Sequence, residues 1–340
     1  MKRRTRRPAW PAIATRLAAD FPRERLDPAA VAWLEAAPPR TRWGVAFSGG
    51  ADSLALLLLL WAHWPARRRQ LRALHFNHRL RGAASRADAE FCRRVCRALG
   101  IKLVSGVWRG ARIDASEAEA RAARLAFFAR HARILWFGHQ QDDIAESMLM
   151  RLARGSGTGG LAAPRPVQPI RPDRLHLRPL LPLQKAAIVT ALRAAGAEWR
   201  EDESNAGDRY LRNRIRRSVL PHWIAAAQRD ALAGAARSRQ LLEEDDLALE
   251  AWLDSLHVPG PRGTLRLDRL AGKPRALWRR ALHRWLAQEP RAGEISRVAF
   301  EALLSAIEGG RRTRHSLGRQ GFAVTDGRVL RFAPVGKIRR

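Results

Sequence analysis

One stretch constrains this chain more than any other. The apolar, β-prone Trp43-Gly44-Val45-Ala46 runs into Phe47-Ser48-Gly49-Gly50-Ala51-Asp52-Ser53, and the apolar run Leu54 to Leu60 follows at once. The pattern predicts a buried strand, a tight loop and a buried helix. Two glycines let the backbone approach a ligand closely, so that N–H groups at the mouth of the helix face an anion with the positive end of the helix dipole behind them. Ser48 and Ser53 add hydroxyl donors, and Ala51 starts the helix. Asp52 is the odd residue: a carboxylate beside bound phosphate repels it unless a cation lies between, which points to Mg²⁺. The spacing of this loop is neither Gly-x-x-x-x-Gly-Lys-Ser/Thr nor Gly-x-Gly-x-x-Gly. The plainer reading is a glycine turn with a capping Ser or Asp; the strand, the acid, the second serine and the long apolar helix together favour the anion site.

The chain has 340 residues, enough for two domains. Its net charge of +31 and pI near 11.8 imply a polyanionic partner whose phosphates the surface neutralises. The excess is almost wholly arginine, and charge alone does not choose between DNA and RNA. Cys92 and Cys96 lie one helical turn apart on an amphipathic segment and read as half-buried core thiols in a reducing compartment, with no Cys-x-x-Cys for zinc or an iron–sulfur cluster. The first residues, Met1 to Arg7, form a basic arm with no apolar signal region behind it, and the run Leu54 to Trp61 is too short to span a bilayer. A cytoplasmic protein with no membrane partner is expected.

Helices are expected around Pro11 to Ala19 and Pro28 to Ala36. Beyond Pro38-Pro39, apolar strands alternate with helical patterns: strands at Leu71 to Phe76, Ile101 to Val107 and Arg133 to Phe137, helices at Ser85 to Leu99, Ala115 to His131 and Asp142 to Leu152. Such alternation means an α/β fold, a doubly wound parallel sheet with helices on both faces, whose ligands bind outside the carboxyl ends of the strands. After the second strand come His75, Asn77, His78, Arg79 and Arg81; a lone His there is usually structural, but the cluster favours a site rim. After the fourth come His139-Gln140-Gln141-Asp142-Asp143 and Glu146. Asp143 and Glu146 share a helix face and suit a cation such as a substrate ammonium, while Asp142 reads also as a simple N-cap.

Glu117, Arg121 and Arg124 stand in one helical stripe, equally a surface salt-bridge ladder and a functional row. Arg151 and Arg154 stand at the root of Gly155-Ser156-Gly157-Thr158-Gly159-Gly160, where four glycines in six residues predict a linker or a flap closing over phosphate. Arg178-Pro179-Leu180-Leu181 leads into a helix through Leu192. From Arg209 to Arg217, five arginines in nine residues with Tyr210 among them suit a phosphate backbone with one stacked base.

Ser-Gly-Gly-x-Asp-Ser resembles the pyrophosphate loop of the ATP-pyrophosphatase, or PP-loop, family, and the order of motifs resembles one branch of it, the tRNA(Ile)-lysidine synthetases. That branch's His-x-Asn-His-x-Leu-Arg matches His75 to Arg81, Glu-Ala-x-Ala-Arg-x-x-Arg matches Glu117 to Arg124, and His-x-x-Asp-Asp-x-x-Glu-Thr/Ser matches His139 to Ser147. Arg-x-x-Arg-Gly-Ser/Thr-Gly follows from Arg151, Arg-Pro-Leu-Leu from Arg178, and Asp-x-Ser-Asn…Arg-Asn-x-Ile/Leu-Arg from Asp202 to Arg216. Two positions depart: Gln140 stands where many members have a second His, and Ser147 where Thr is usual. Gln140 can hydrogen-bond but cannot relay a proton near neutral pH.

The resemblance implies a Rossmann-like PP-loop domain over residues 39–221 after a basic N-terminal extension, residues 1–38, with a helical linker and a small C-terminal α+β tRNA-binding domain over residues 222–335. It implies a ligase that uses ATP and Mg²⁺ to join free L-lysine to C2 of the wobble cytidine in the CAU anticodon of tRNA(Ile), through an adenylated cytidine. Implied contacts to ATP are Ser48, Gly49, Gly50, Ala51, Asp52, Ser53, His75, Asn77, His78 and Arg121, with Asp52 holding the metal. Asp143 and Glu146 would hold lysine; Arg151, Arg154, Gly155, Arg178, Asn205, Arg212, Asn213 and Arg214 would hold tRNA; Asp52, His139 and Arg212 would act in catalysis, His139 as general acid/base or phosphate contact. A monomer and a homodimer both fit the family. Two alternatives stay open: a tRNA thiolase of the same fold, which the missing Cys-x-x-Cys disfavours, and a non-catalytic RNA-binding protein, in which Asp52, Asp142 and Asp143 would have no task. In the remainder, a long helix is expected from about His222 through Leu256, further helices at Arg275 to Gln288 and Val298 to Glu308, and a hairpin at Phe322 to Thr325 and Val329 to Phe332 around Asp326-Gly327. Trp278 and Trp285 read as core rather than base-stacking. A further domain of longer family members finds no counterpart in this stretch.

Overall fold

The computed structural model describes residues 9–77, 82–108, 110, 115–201, 211–289, 295–319 and 321–335. The chain divides into two compact units, residues 1–243 and 244–340. The first unit opens with helices α1 (Trp10–Asp20) and α2 (Pro28–Ala36), then alternates β1 (Trp43–Ala46), α3 (Ala51–His63), β2 (Leu71–Asn77), α4 (Gly82–Leu99), β3 (Lys102–Val107), α5 (Glu117–His131), β4 (Ile134–Trp136) and α6 (Gln141–Leu152). A short helix α7 (Thr158–Leu161), the hairpin β5 (Val167–Arg171) and β6 (Arg174–Leu177), and helix α8 (Lys185–Ala194) follow.

The sheet order is β3-β2-β1-β4-β6-β5, with every pair parallel except the β5–β6 hairpin. The reversal of direction on either side of β1 makes its carboxyl end the switch point where such sheets take ligands. The apolar runs fill the core as their composition requires: Leu54 and Leu56 to Leu60 are all buried, and Trp43 and Trp136 meet beneath them with ring centroids 5.5 Å apart. The β5–β6 hairpin has no apolar run to announce it. Its outer strand carries Pro169, which an edge position tolerates because no partner needs that N–H.

The helices ahead of β1 belong to the core. Trp10, Ile13, Ala14 and Leu17 of α1 are buried with the α3 leucines, and Asp27 caps α2 by accepting from Ala29 N at 3.0 Å and Ala30 N at 3.2 Å. Of the expected N-terminal extension, only the arm at residues 1–8 lies outside the described residues. The glycine-rich segment after α6 is folded back as turns and the helix α7, with Gly155 at φ +72° and the Arg151 guanidinium donating to the Gly160 carbonyl. The long helix expected from His222 to Leu256 is two: α9 (Leu211–Arg214) and a π-helical turn (Ile215–Val219) lead into α10 (Leu220–Ala226), and α11 (Ala231–Ser255) follows a break where Gln228 takes φ +50° and Asp230 accepts from Ala233 N at 2.9 Å.

The second unit pairs α12 (Arg275–Gln288) and α13 (Arg297–Glu308) with a four-stranded sheet of β7 (Leu265–Arg266), β8 (Thr313–Ser316), β9 (Gly321–Thr325) and β10 (Val329–Pro334), in the order β7-β10-β9-β8. The hairpin turns at Asp326-Gly327, with Asp326 Oδ1 accepting from Arg328 N and Val329 N. Trp278 and Trp285 are buried in this unit's core. Among the described residues no helix is long and apolar enough to cross a membrane.

Trp136 stacks under the switch point with no solvent exposure and touches both Trp33 and Trp43. Trp136→Ala is expected to destabilise the first unit by about 3–5 kcal/mol, read as a lower urea midpoint with an unchanged slope.

Candidate active site

The loop after β1 is held in shape by its own donors. Gly49 has φ +94°, which a side chain would strain, and a Cβ there would come within 3.3 Å of both Cys92 Sγ and the Phe91 ring. Ser48 N lies 3.2 Å from Ser53 Oγ, the two hydroxyls are 3.1 Å apart, and Ser53 Oγ donates to Gly50 O at 3.0 Å. Arg200 crosses the turn, its N–H donating to Gly49 O at 2.9 Å while its Nε holds Asp88 at 2.8 Å.

Asp52 stands in the first turn of α3. Its Oδ2 is 3.6 Å from Lys185 Nζ, and its Oδ1 is buried with no hydrogen-bond partner among the described residues. Desolvation raises its pKa, against the pull of Lys185. A buried, unanswered carboxylate oxygen at a helix mouth fits a cation carried in on a nucleotide's phosphates, which needs only one or two carboxylates from the protein. Among the described residues no group of three or more His, Cys, Asp or Glu could hold a metal alone.

Lys185 escaped the sequence reading. The signal was there: a cation in the first turn of a helix opposes the dipole, so an acid must hold it. Asp52 does, while Asp142 Oδ2 accepts from the Lys185 backbone N–H at 3.0 Å. Asp142 thus caps α8, whereas the cap of its own helix is Gln140, whose Oε1 accepts from Asp142 N at 2.6 Å. Gln140 N in turn donates to Asp143 Oδ2 at 3.0 Å, and Gln140 is fully buried.

Asp143 and Glu146 do share a face, and both are buried. Two guanidinium groups already answer them. Arg212 Nε donates to Glu146 Oε2 at 2.7 Å and its Nη2 to Asp143; Arg216 Nη2 donates to Glu146 Oε2 at 3.0 Å and its Nε to Oε1. The π-helical turn lies where Arg216 points back to the same carboxylate as Arg212, a placement typical of such irregularities near functional groups.

His75 is buried at the end of β2, with Nδ1 3.0 Å from the Phe47 carbonyl. That nitrogen therefore carries the proton, and the buried Nε2 is left as an acceptor without a partner among the described residues. Burial lowers its pKa. Asn77 Nδ2 donates to Ser85 O at 3.3 Å. His139, after β4, stacks on Phe137 and accepts at Nδ1 from Arg178 Nε at 3.0 Å. Burial, with Arg178, Arg212, Arg121 and Arg124 nearby, drives its pKa well below the usual range. A ring so held does not serve as a general base near neutral pH; of the two roles expected for His139, phosphate contact suits it.

Arg178 is turned inward and only 5% exposed, which removes it from a tRNA surface. Asn213 is likewise buried, whereas Arg154, Gly155 and Arg214 are exposed. Arg121 lies on the side of β4 and β6, where its charge falls on His139, Arg151, His176 and Arg178. His78, with Arg79 and Arg81, and Asn205, with Asp202, lie outside the described residues. Burial pushes the Cys96 thiol up to about 12 and Cys92 higher still, so neither offers a thiolate for sulfur transfer.

A nucleotide loop at the switch point of a parallel sheet, facing acids at the next strand end, defines the PP-loop class, and the model of the PP-loop domain family matches residues 27–223. Proteins named tRNA(Ile)-lysidine synthase are similar over most of the chain. That of Geobacter sulfurreducens is 36% identical over 77% of this chain and 58% of its own length, and that of Azoarcus sp. 39% identical over 86% and 65%. That of Pseudomonas putida is 34% identical over 88% of this chain and 70% of its own length. The chain belongs to the tRNA(Ile)-lysidine synthase family of PP-loop proteins. It spans about six tenths of the length of the first two of these relatives.

Gly138 seats the loop from the far side: a Cβ there would lie 2.7 Å from the Asp52 carbonyl oxygen. Gly138→Ala is expected to displace the first turn of α3 and weaken ATP binding roughly tenfold or more, since small misplacements of a binding group are costly. Titration calorimetry beside an unchanged far-ultraviolet circular dichroism spectrum checks this.

Proposed function

We propose that this chain ligates free L-lysine to C2 of the wobble cytidine of a tRNA(Ile) with a CAU anticodon, at the expense of ATP. The observation that carries the reading is a juxtaposition: the Ser-Gly-Gly loop with the unpartnered Asp52 oxygen at one strand end, and the carboxylates of Asp143 and Glu146 at the neighbouring one. The likeness to lysidine synthases of several bacteria supports it.

In this reading ATP lies along Ser48 to Ser53, with the hydroxyls and helix N–H groups on its phosphates. Asp52 holds Mg²⁺, which when bound neutralises charge on the leaving pyrophosphate. The cytidine C2 oxygen attacks the α-phosphorus, the bond to pyrophosphate breaks, and an adenylated cytidine results. The ε-amine of lysine then attacks C2, the C2–O bond breaks, AMP leaves, and the amine gives up a proton. His139 donates from Nε2 to a phosphoryl oxygen during the first step. Lys185, beside Asp52, is placed to follow the pyrophosphate. Asp143 and Glu146 hold the lysine and orient its amine. Because both acids are already bonded to Arg212 and Arg216, lysine enters by exchange with a guanidinium. Arg151, Arg154 and Arg214 take tRNA phosphates, with Gly155 allowing close approach. Modification in this way would turn an AUG-reading anticodon to AUA.

Labelled lysine is expected to enter tRNA only with ATP present, with AMP and pyrophosphate released. Asp52→Asn is expected to abolish both products. Glu146→Gln, which keeps the volume but loses the charge, is expected to raise KM for lysine about 10- to 100-fold, the worth of a charged hydrogen bond, with little change in KM for ATP. Failure of the unaltered protein to label its cognate tRNA while binding ATP would reject the reading.

A further inference from the structure

Arg178 follows β6 and spends its guanidinium inside the protein. Nη1 donates to the Arg165 carbonyl at 2.7 Å, the group lies over the Phe137 ring, and Nε donates to His139 Nδ1 at 3.0 Å. A guanidinium has no acceptor and does not give up its charge near neutral pH. The Nδ1 of His139 must therefore present its lone pair, and the single ring proton stands on Nε2. Protonating the ring would set one N–H against another.

The surroundings strengthen the constraint. The ring is held parallel to Phe137, with centroids 5.6 Å apart and planes 24° from each other. The charges facing it are four cations from three parts of the fold: Arg121 and Arg124 of α5, Arg212 of α9, and Arg178 itself after β6. A hydrogen-bond donor that cannot become an acceptor, set among guanidinium groups, matches an anionic acceptor oxygen.

We propose that Arg178 is a positioning residue that fixes His139 as a neutral Nε2–H donor, and that this donor serves a phosphoryl oxygen during adenylation. The identity of the oxygen rests on the ligase reading above; the tautomer does not. The same geometry removes His139 from the list of bases for the lysine step, since its free nitrogen is already bonded.

Two measurements test this. In the full chain labelled with ¹⁵N-histidine, two-bond proton–nitrogen correlations should show His139, assigned by its loss in His139→Gln, as the Nε2–H tautomer throughout from about pH 5.5 to about pH 8.5. An Nδ1–H pattern, or protonation near pH 6.5, overturns the proposal. Arg178→Met should release the tautomer and lower kcat roughly 10- to 100-fold, as loss of the outer partner of a functional histidine does. The deficit should shrink as pH falls, because protonation of the ring restores a proton at Nε2. Arg178→Lys, which keeps a donor, should recover part of the rate. A deficit flat with pH and an unchanged His139 tautomer in Arg178→Met would mean that Arg178 only packs, and would overturn the assignment. Should Arg178→Met not fold, the spectrum of the unaltered chain still decides. Should that chain make no lysidine, the ligase reading falls while the tautomer remains measurable.

Discussion

The carboxyl ends of the strands can carry chemistry because the helix that begins there cannot move. Six buried leucines between Leu54 and Leu60 hold α3 against the sheet, at a gross gain on the order of 10 kcal/mol from apolar burial. That grip sets the position of the first turn, and so of Ser53 and Asp52, to within the slack of a packed core. The loop ahead of it then needs little stabilisation of its own. Its hydroxyls bond to one another and to the backbone, in hydrogen bonds that an entering phosphate can replace one for one.

A second constraint lies beside the first and works through charge. Glu146 has no solvent exposure, and a carboxylate so buried is costly unless it is paired and hydrogen-bonded. Arg212 and Arg216 supply the pairing from a segment far along the chain. The acid therefore anchors the segment from Leu211 to Val219 against α6, and in the ligase reading the same pairing would keep a cation site formed. Removing either guanidinium partner leaves the other to carry a buried charge, so positions 143, 146, 212 and 216 act as a unit and their substitutions are not additive.

Much of this was legible in the sequence, for reasons that differ by element. Strands β1, β2 and β4 are short apolar runs bounded by turn residues, and the helices between them carry a clear period, so the parallel sheet follows from the pattern. The pattern brought Ser48 to Ser53, His139, Asp143 and Glu146 to neighbouring strand ends, and the fold puts them there, while Arg212 reaches the two acids from α9. The β5–β6 hairpin was hidden because an edge strand with Pro169, Gln168 and Arg171 has no alternation to read. The cap formed by Gln140 was hidden because capping prefers Ser, Thr, Asp or Asn; the glutamine that looked like a lost histidine is a buried helix cap. Arg178 misled for a third reason. Nothing in a one-dimensional pattern says whether an arginine faces solvent or a ring nitrogen, and in so basic a chain the surface was the natural guess.

The same excess of charge raises a question that the fold answers by depth. A chain carrying a net +31 suits a polyanion, yet in the ligase reading an ammonium substrate needs acids, and exposed acids would weaken the field that would gather RNA. Asp143 and Glu146 are buried and already neutralised by Arg212 and Arg216, so they take little from that field. Asp52 keeps one oxygen turned inward, and its other is shared with Lys185. Arg154 and Arg214 are left exposed at the surface. Under the ligase reading, placing the acids at depth and the exposed guanidinium groups at the surface would let one strand edge serve both a nucleic acid and a cation, and would make the guanidinium partners of the buried acids the elements on which admission of the amine depends.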